Sequence, residues 1–363
     1  MLGAMTRPEP LTHVAQLPRY VPGARGAAGA SAPIKLSSNE NPLAPLPSVV
    51  DAVARAAAGI HRYPDMFAVE LTERIADAVG VSADRVAVGG GSVAVLAHLL
   101  QAFAGPGDEV IYAWRSFEAY PILTRALGAS PVQVPLGPGF RHDLEAMSAA
   151  ITERTKVVVV CSPNNPTGPA VGAAEFAQFM AAVPQHILVI LDEAYLEFVT
   201  DPDAVRGANV LGRWENLVVL RTFSKAYGLA GLRVGHVLGP AEITGAVRAV
   251  VTPFSVSGIA QVAAIASLDA EAELLDRVAG IVAERERVLA ELETAGWDVP
   301  AAQGNFLWLP VGDDAAELAS TLASRSPAVL VRPFAGDGVR ISIGTAEEND
   351  AMIAALAQWR GRE

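Results

Sequence analysis

Residues 218–236 read VVLRTFSKAYGLAGLRVGH. The stretch opens in an apolar, β-branched run, Leu217–Leu220, of the kind that forms a buried strand. It breaks into a loop of small residues holding Lys225 between Ser224 and Ala226, and Arg233 follows in a glycine-rich apolar setting. Lysine is almost never buried without a purpose. Desolvation and a neighbouring cation both lower a lysine pKa, which frees the amine to attack a carbonyl. The chemistry suggested is a Schiff base, with an anion held close by at Arg233. Taken alone, Lys225 also fits a surface loop that happens to follow a strand.

Outward from this run, strand patterns alternate with helix patterns from Val86 onward. VAVGGGS, EVIYA, PVQVPL, KVVVVC, ILVILDEAY, LVVLRTFSK and RVGHVLG read as strands. VAVLAHLLQAF and a segment around Ala173–Ala182 read as helices between them, and a loop carries Trp114, Phe117 and Tyr120. Val- and Ile-rich runs with intervening helices imply a mostly parallel sheet covered on both faces, an α/β fold. Helices at about Ser48–Ala58 and Ala68–Val79 precede the alternation. A long helical stretch, about Ile259–Ala295, follows it. The remainder reads strand, helix, strand (AVLVRP), strand (GVRISIG), helix, a small α+β unit. The expected division is an arm at 1–47, a large domain at 48–255, and a connecting helix with a small C-terminal domain at 256–363.

The 363 residues are about half apolar, enough for one large domain and a smaller one. A net charge of −12 with no basic block argues against nucleic acid as a partner. The single cysteine, Cys161, rules out a disulfide framework and reads as a small buried hydrophobe. No apolar run reaches the length of a membrane span, and no secretory leader is recognisable, so the expected compartment is the cytoplasm. The six histidines are scattered and none has metal-ligand spacing.

Polar residues collect where the strands end, which is where open α/β sheets bind ligands. Gly89-Gly90-Gly91-Ser92 lies between a strand and a helix, and amide groups at a helix N-terminus bind phosphate. The run fits a dinucleotide fingerprint only loosely, because Asp108 and Glu109 precede the next strand instead of ending it. Asn165, in SPNNPTG, offers an amide to a phenolate-like oxygen, or else makes a plain Asn-Pro turn. Asp192 ends ILVILD and could pair with a protonated ring nitrogen, or else cap a helix. Tyr195 follows three residues on and could reach the same ring. Phosphate donors, an acid, an amide, a lysine and an arginine on successive strand ends are the parts list for pyridoxal phosphate.

With LSSNENP, RYP, GGGS, SPNNPTG, LDEAYLEF, RTFSKAYGLAGLRVG and VRISIG quoted in order, nearly the whole chain resembles the fold-type-I pyridoxal-phosphate aminotransferases. The branch it resembles holds the histidinol-phosphate and aromatic-amino-acid enzymes. The resemblance implies that Lys225 carries the cofactor covalently and later moves the α-proton. It implies that Asp192 keeps the ring nitrogen protonated, that Asn165 and Tyr195 bind the ring oxygen, and that Phe117 stacks on the ring. Gly91, Ser92, Val93, Ser224 and Arg233 would hold the phosphate. Tyr63 would reach the phosphate of a neighbouring subunit, which implies a homodimer. Arg340 would clamp the substrate carboxylate, and Arg332, Tyr20, Asn41 and Asn165 would also face substrate. Three features depart from the family pattern: Val93 where many members carry an acid, Phe117 where many carry Tyr, and a short Arg332–Arg340 loop.

Histidinol phosphate needs a cation for its phosphate, and Arg332 is the candidate. Phenylalanine, tyrosine and tryptophan need an apolar pocket. RPFAGDGVR and WRSFEAYP look more like the aromatic branch, which implies ping-pong transfer through pyridoxamine phosphate to a 2-oxo acid such as 2-oxoglutarate. The fold itself carries both substrates. A pyridoxal-phosphate decarboxylase or lyase is a rival reading that Arg340 argues against, since it would hold the carboxylate in place. A non-catalytic sensor fused to a DNA-binding module is another; about 33 residues precede the first family motif, too few for such a module, and Lys225 is intact.

Overall fold

A computed structural model describes residues 8–18 and 33–360. Its strands are β1 (Ile34–Lys35), β2 (Val86–Gly89), β3 (Glu109–Trp114), β4 (Ser130–Pro135), β5 (Thr155–Cys161), β6 (Leu188–Asp192), β7 (Leu217–Thr222), β8 (Gly235–Leu238), β9 (Phe306–Leu309), β10 (Val329–Leu330), β11 (Arg332–Phe334) and β12 (Gly338–Ser342). Seven of them form one sheet in the order β2-β8-β7-β6-β5-β3-β4. Only β8 runs against its neighbours. The mostly parallel α/β sheet read from the sequence is therefore present.

Both faces of this sheet are buried, which is why its strands read as unbroken apolar runs. Alternate residues serve opposite layers. Ile111, Val158, Val160, Val189, Leu191 and Val219 join the core on one face. Val110, Val157, Val159, Ile190, Val218 and Leu220 join the core on the other. The helix Ser92–Phe103 covers the second face with Val95, Leu96, Leu99 and Leu100. The helix Ala173–Ala182 covers the first with Phe176, Phe179 and Met180.

Three sequence expectations change. The long helical stretch is two helices, Gly258–Asp269 and Glu271–Thr294, broken at Ala270. The first buries small residues, Ala260, Ala263 and Ala264, and packs on the helices Pro47–Ala56 and Val69–Val79. The second buries larger ones, Leu274, Val278, Ile281 and Val288, and packs on the C-terminal helix Ala346–Arg360. The two helices thus bury different faces against different partners. AVLVRP is likewise two strands: β10 pairs in parallel with β1, while β11 pairs antiparallel with β12 in a β11-β12-β9 sheet. Finally, the loop expected after Trp114 contains a helix, Ala119–Ala126, whose Pro121 lies in the first turn, where proline is tolerated. Among the described residues, no helix is long and apolar enough to cross a membrane.

Candidate active site

The register of the large sheet lines up the polar strand ends. Cys161 is paired with Asp192, and Asp192 with Leu220. Gly89, Gly235 and Thr222 form a second row. Beyond these ends lies a cavity of about 290 Å³ whose wall includes Asp192, Lys225 and Arg340. β11 and β12 of the small sheet close it from the other side, and residues 37–40 run between the two sheets. Asn39 is held there by two bonds with Ser342: its N–H donates to Oγ at 2.7 Å, and Oγ donates to Asn39 Oδ1 at 3.0 Å.

Lys225 points its Nζ at backbone carbonyls of this bridging segment, 3.3 Å from Ser38 O and 3.1 Å from Asn39 O. Burial lowers its pKa to about 7, with the Arg340 and Arg233 charges adding to the effect and Glu40 opposing it. A large fraction of the amine is then neutral at physiological pH, which is the state that attacks a carbonyl. Asp192 is 5% exposed. Desolvation raises its carboxyl to about 6, against the hydrogen bonds from Tyr120 Oη at 2.7 Å and the Ala194 N–H at 3.2 Å. A carboxylate stripped of water and held by two donors is poised for a cation that enters the cavity.

The opposite end of the cavity is an anion cradle. Gly91 caps the helix Ser92–Phe103 with φ 90° and ψ 159°, a region that is essentially glycine's own. A Cβ on Gly91 would lie 2.3 Å from Arg233 Nη2, and one on Gly235 would lie 2.4 Å from the Ser92 N–H. Both glycines thus keep the guanidinium and the helix amide close together. Arg233 Nη1 donates to Ser224 Oγ at 3.1 Å. Ser92, Val93 and Ser224 line the cavity beside it. Helix-terminal amides, two hydroxyls and one arginine suit a phosphate dianion.

At the third side, Arg340 donates from Nη1 to Asn165 Oδ1 at 2.6 Å and from Nη2 to Ser37 O at 2.8 Å. With its carbonyl oxygen engaged, the Asn165 amide has N–H donors to offer. Tyr195 Oη accepts from Asn39 Nδ2 at 3.1 Å, and its ring centroid lies 5.7 Å from Lys225 Nζ. Phe117 lines the wall and meets Tyr120 edge to face at 5.6 Å. Arg332 also faces the cavity, paired with Glu118.

Of the candidate residues, Gly91, Ser92, Val93, Phe117, Asn165, Asp192, Tyr195, Ser224, Lys225, Arg233, Arg332 and Arg340 thus gather at one place. Two, Asn41 and Tyr63, do not, and Tyr20 lies outside the described residues. Asn41, expected at the substrate, is not on the cavity wall. Its amide donates to Ala226 O at 2.9 Å and its carbonyl accepts from the Leu43 N–H, so it braces the backbone behind Lys225. Tyr63 is 82% exposed and stacks on Phe254 at 4.6 Å, away from the cavity of its own chain. Sequence reasoning missed Tyr120 as the donor to Asp192, Asn39 as the donor to Tyr195, and Glu118 as the partner of Arg332. Tyr120 and Glu118 sit in the aromatic WRSFEAYP run, whose pattern alone reads as plain loop.

A model of the family Aminotransferase class I and II matches residues 31–356. A protein of Thermobifida fusca named aromatic amino acid aminotransferase is 53% identical over 348 residues, covering 95% of this chain and 96% of its own. A protein of the same name from Streptomyces avermitilis is 50% identical over 355 residues, covering 98% of each. Among solved structures, the histidinol-phosphate aminotransferase of Sinorhizobium meliloti in complex with pyridoxal-5'-phosphate matches with a TM-score of 0.87 at 27% identity, covering 98% of both chains.

Proposed function

This chain belongs to the class I and II aminotransferases, and from that premise we propose that it moves the amino group of an aromatic L-amino acid (phenylalanine, tyrosine or tryptophan) to a 2-oxo acid such as 2-oxoglutarate. The observation that carries the reading is a lysine with a pKa near 7 in one cavity with a buried carboxylate, the Ser92, Ser224 and Arg233 cluster, and the buried Arg340. The aromatic substrate is supported by the names of relatives at about 50% identity, and by Phe117 and Phe334 on the cavity wall. Histidinol phosphate is the alternative, suggested by the likeness of fold at 27% identity.

The residues fit pyridoxal phosphate. When bound, that group supplies a reactive carbonyl and a ring that takes up the electron pair left at the substrate Cα. In this reading Gly91, Ser92, Val93, Ser224 and Arg233 bind the phosphate. Asp192, oriented by Tyr120, pairs with the protonated ring nitrogen. Asn165 and Tyr195 donate to the ring oxygen, and Phe117 covers one ring face. Lys225 Nζ would hold the group at its carbonyl carbon and, once the substrate amine has taken that place, would be free to carry the Cα proton as a general base. Arg340 orients the α-carboxylate, which resists loss of CO₂ and separates this reading from a decarboxylase. A second copy of the chain would place its Tyr63 on the phosphate, so a homodimer in the cytoplasm belongs to the proposal.

The test is a half-reaction. Protein loaded with pyridoxal phosphate is mixed with L-phenylalanine or with histidinol phosphate, without acceptor, and the decay of the carbonyl-form absorbance is followed. Fast decay with phenylalanine supports the reading. Fast decay with histidinol phosphate alone moves the enzyme to the other substrate.

A further inference from the structure

Two arginines stand directly opposite each other across β11 and β12, Arg332 against Arg340, each less than a tenth exposed. Like charges at opposed positions destabilise a sheet, so each guanidinium has to be answered locally. Arg332 donates from Nη2 to Glu118 Oε2 at 2.5 Å, and its Cζ lies 5.5 Å from the Phe334 ring centroid. Arg115 lies 5.6 Å from the same ring and is paired with Asp337. Glu118 comes from the far wall, one residue after Phe117 and at the N-cap of the helix Ala119–Ala126. Its ion pair therefore ties the large domain to the small sheet across the substrate end of the cavity.

We propose that Glu118 sets the substrate class: by holding Arg332 it makes this wall charge-neutral, so that the site accepts an uncharged ring against Phe334 and rejects an amino donor with a terminal phosphate. The inference rests on the aromatic reading above. A phosphate reaching Arg332 would have to break the ion pair and leave a partly buried carboxylate beside its own negative charge, or stay beside the intact pair. Both oppose binding. An aromatic ring breaks nothing.

The test compares holoenzyme variants with histidinol phosphate and phenylalanine as donors. Glu118→Gln keeps the side-chain shape and removes the charge. The kcat/KM ratio of histidinol phosphate to phenylalanine is expected to rise roughly tenfold or more, the worth of one charge-assisted contact. Inorganic phosphate, as competitor against phenylalanine, is expected to inhibit at lower concentration. Both gains disappear in the double variant Glu118→Gln/Arg332→Gln, and the ratio stays near its original value in Glu118→Asp, which keeps the charge. Glu118→Ala is read in the same way as Glu118→Gln, so misfolding of one variant leaves the other to decide. A ratio unmoved in both, or a gain that survives loss of Arg332, overturns the proposal. Preference of the unaltered protein for histidinol phosphate would overturn the aromatic reading instead, and is measured separately from the change on substitution.

Discussion

Replacing Gly91 with alanine is the sharpest probe of the anion cradle. At φ 90° and ψ 159° a side chain is strained by about 1–3 kcal/mol even with room to spare. There is no room: the new Cβ would sit 2.3 Å from Arg233 Nη2 and 2.9 Å from its Cζ. The guanidinium has to swing away from the pocket it shares with Ser224 Oγ. Losing its charge-assisted contact to a phosphate costs about 1.5–3 kcal/mol. At about 1.4 kcal/mol per factor of ten, the pyridoxal phosphate Kd rises roughly tenfold to a hundredfold. Spectral titration of the apoprotein reads this directly, and pyridoxal without phosphate serves as the internal control. The expected result is weakened binding of the phosphorylated form, an unchanged affinity for pyridoxal, and a lower Tm of the apoprotein. Equal affinity of both proteins for pyridoxal phosphate, or an equal loss for pyridoxal, would refute the reasoning.

Two further expectations concern titration. Only the neutral Lys225 amine attacks, so the rate at which apoprotein captures pyridoxal phosphate should climb as pH rises through about 7 and level off above it; a rise centred near the ordinary lysine value of 10.5 would contradict the desolvated setting. Tyr120→Phe removes a hydrogen bond that favours the Asp192 carboxylate, so the group moves up from about 6 and is more protonated at neutral pH. Cofactor affinity of that variant should fall at pH 7 and recover as the pH is raised, while a loss of equal size at every pH would assign Tyr120 a purely structural part.

The large sheet was legible because both of its faces are buried. Val157–Val160 could be read as a strand without knowing what covered it, and the acid, amide and lysine that follow such runs had to fall at one edge. Contacts between distant segments left no periodic trace. Asn39 and Tyr195 lie 156 positions apart, and Arg332 and Glu118 lie 214 apart. The same holds for Asn41, which the resemblance placed at the substrate, whereas its amide donates to the Ala226 carbonyl. The helix Ala119–Ala126 was hidden by aromatics and by Pro121, because Tyr120 points inward to Asp192 in place of forming a simple apolar stripe.

Asp192 and Lys225 each oppose the fold that holds them. The Asp192 carboxyl titrates near 6 against an ordinary 3.8, so its contribution to stability is present at low pH and lost as pH rises through about 6. Lys225 titrates near 7 against 10.5, so its ammonium form disfavours folding most below about pH 7. Near neutrality both penalties act on the empty protein. If pyridoxal phosphate neutralises both groups and binds only the folded chain, then at a hundred times its Kd it stabilises that chain by about 2.7 kcal/mol. Vitamin supply would then govern how many copies survive proteolysis as well as how many are active, and cofactor starvation would deplete the protein itself.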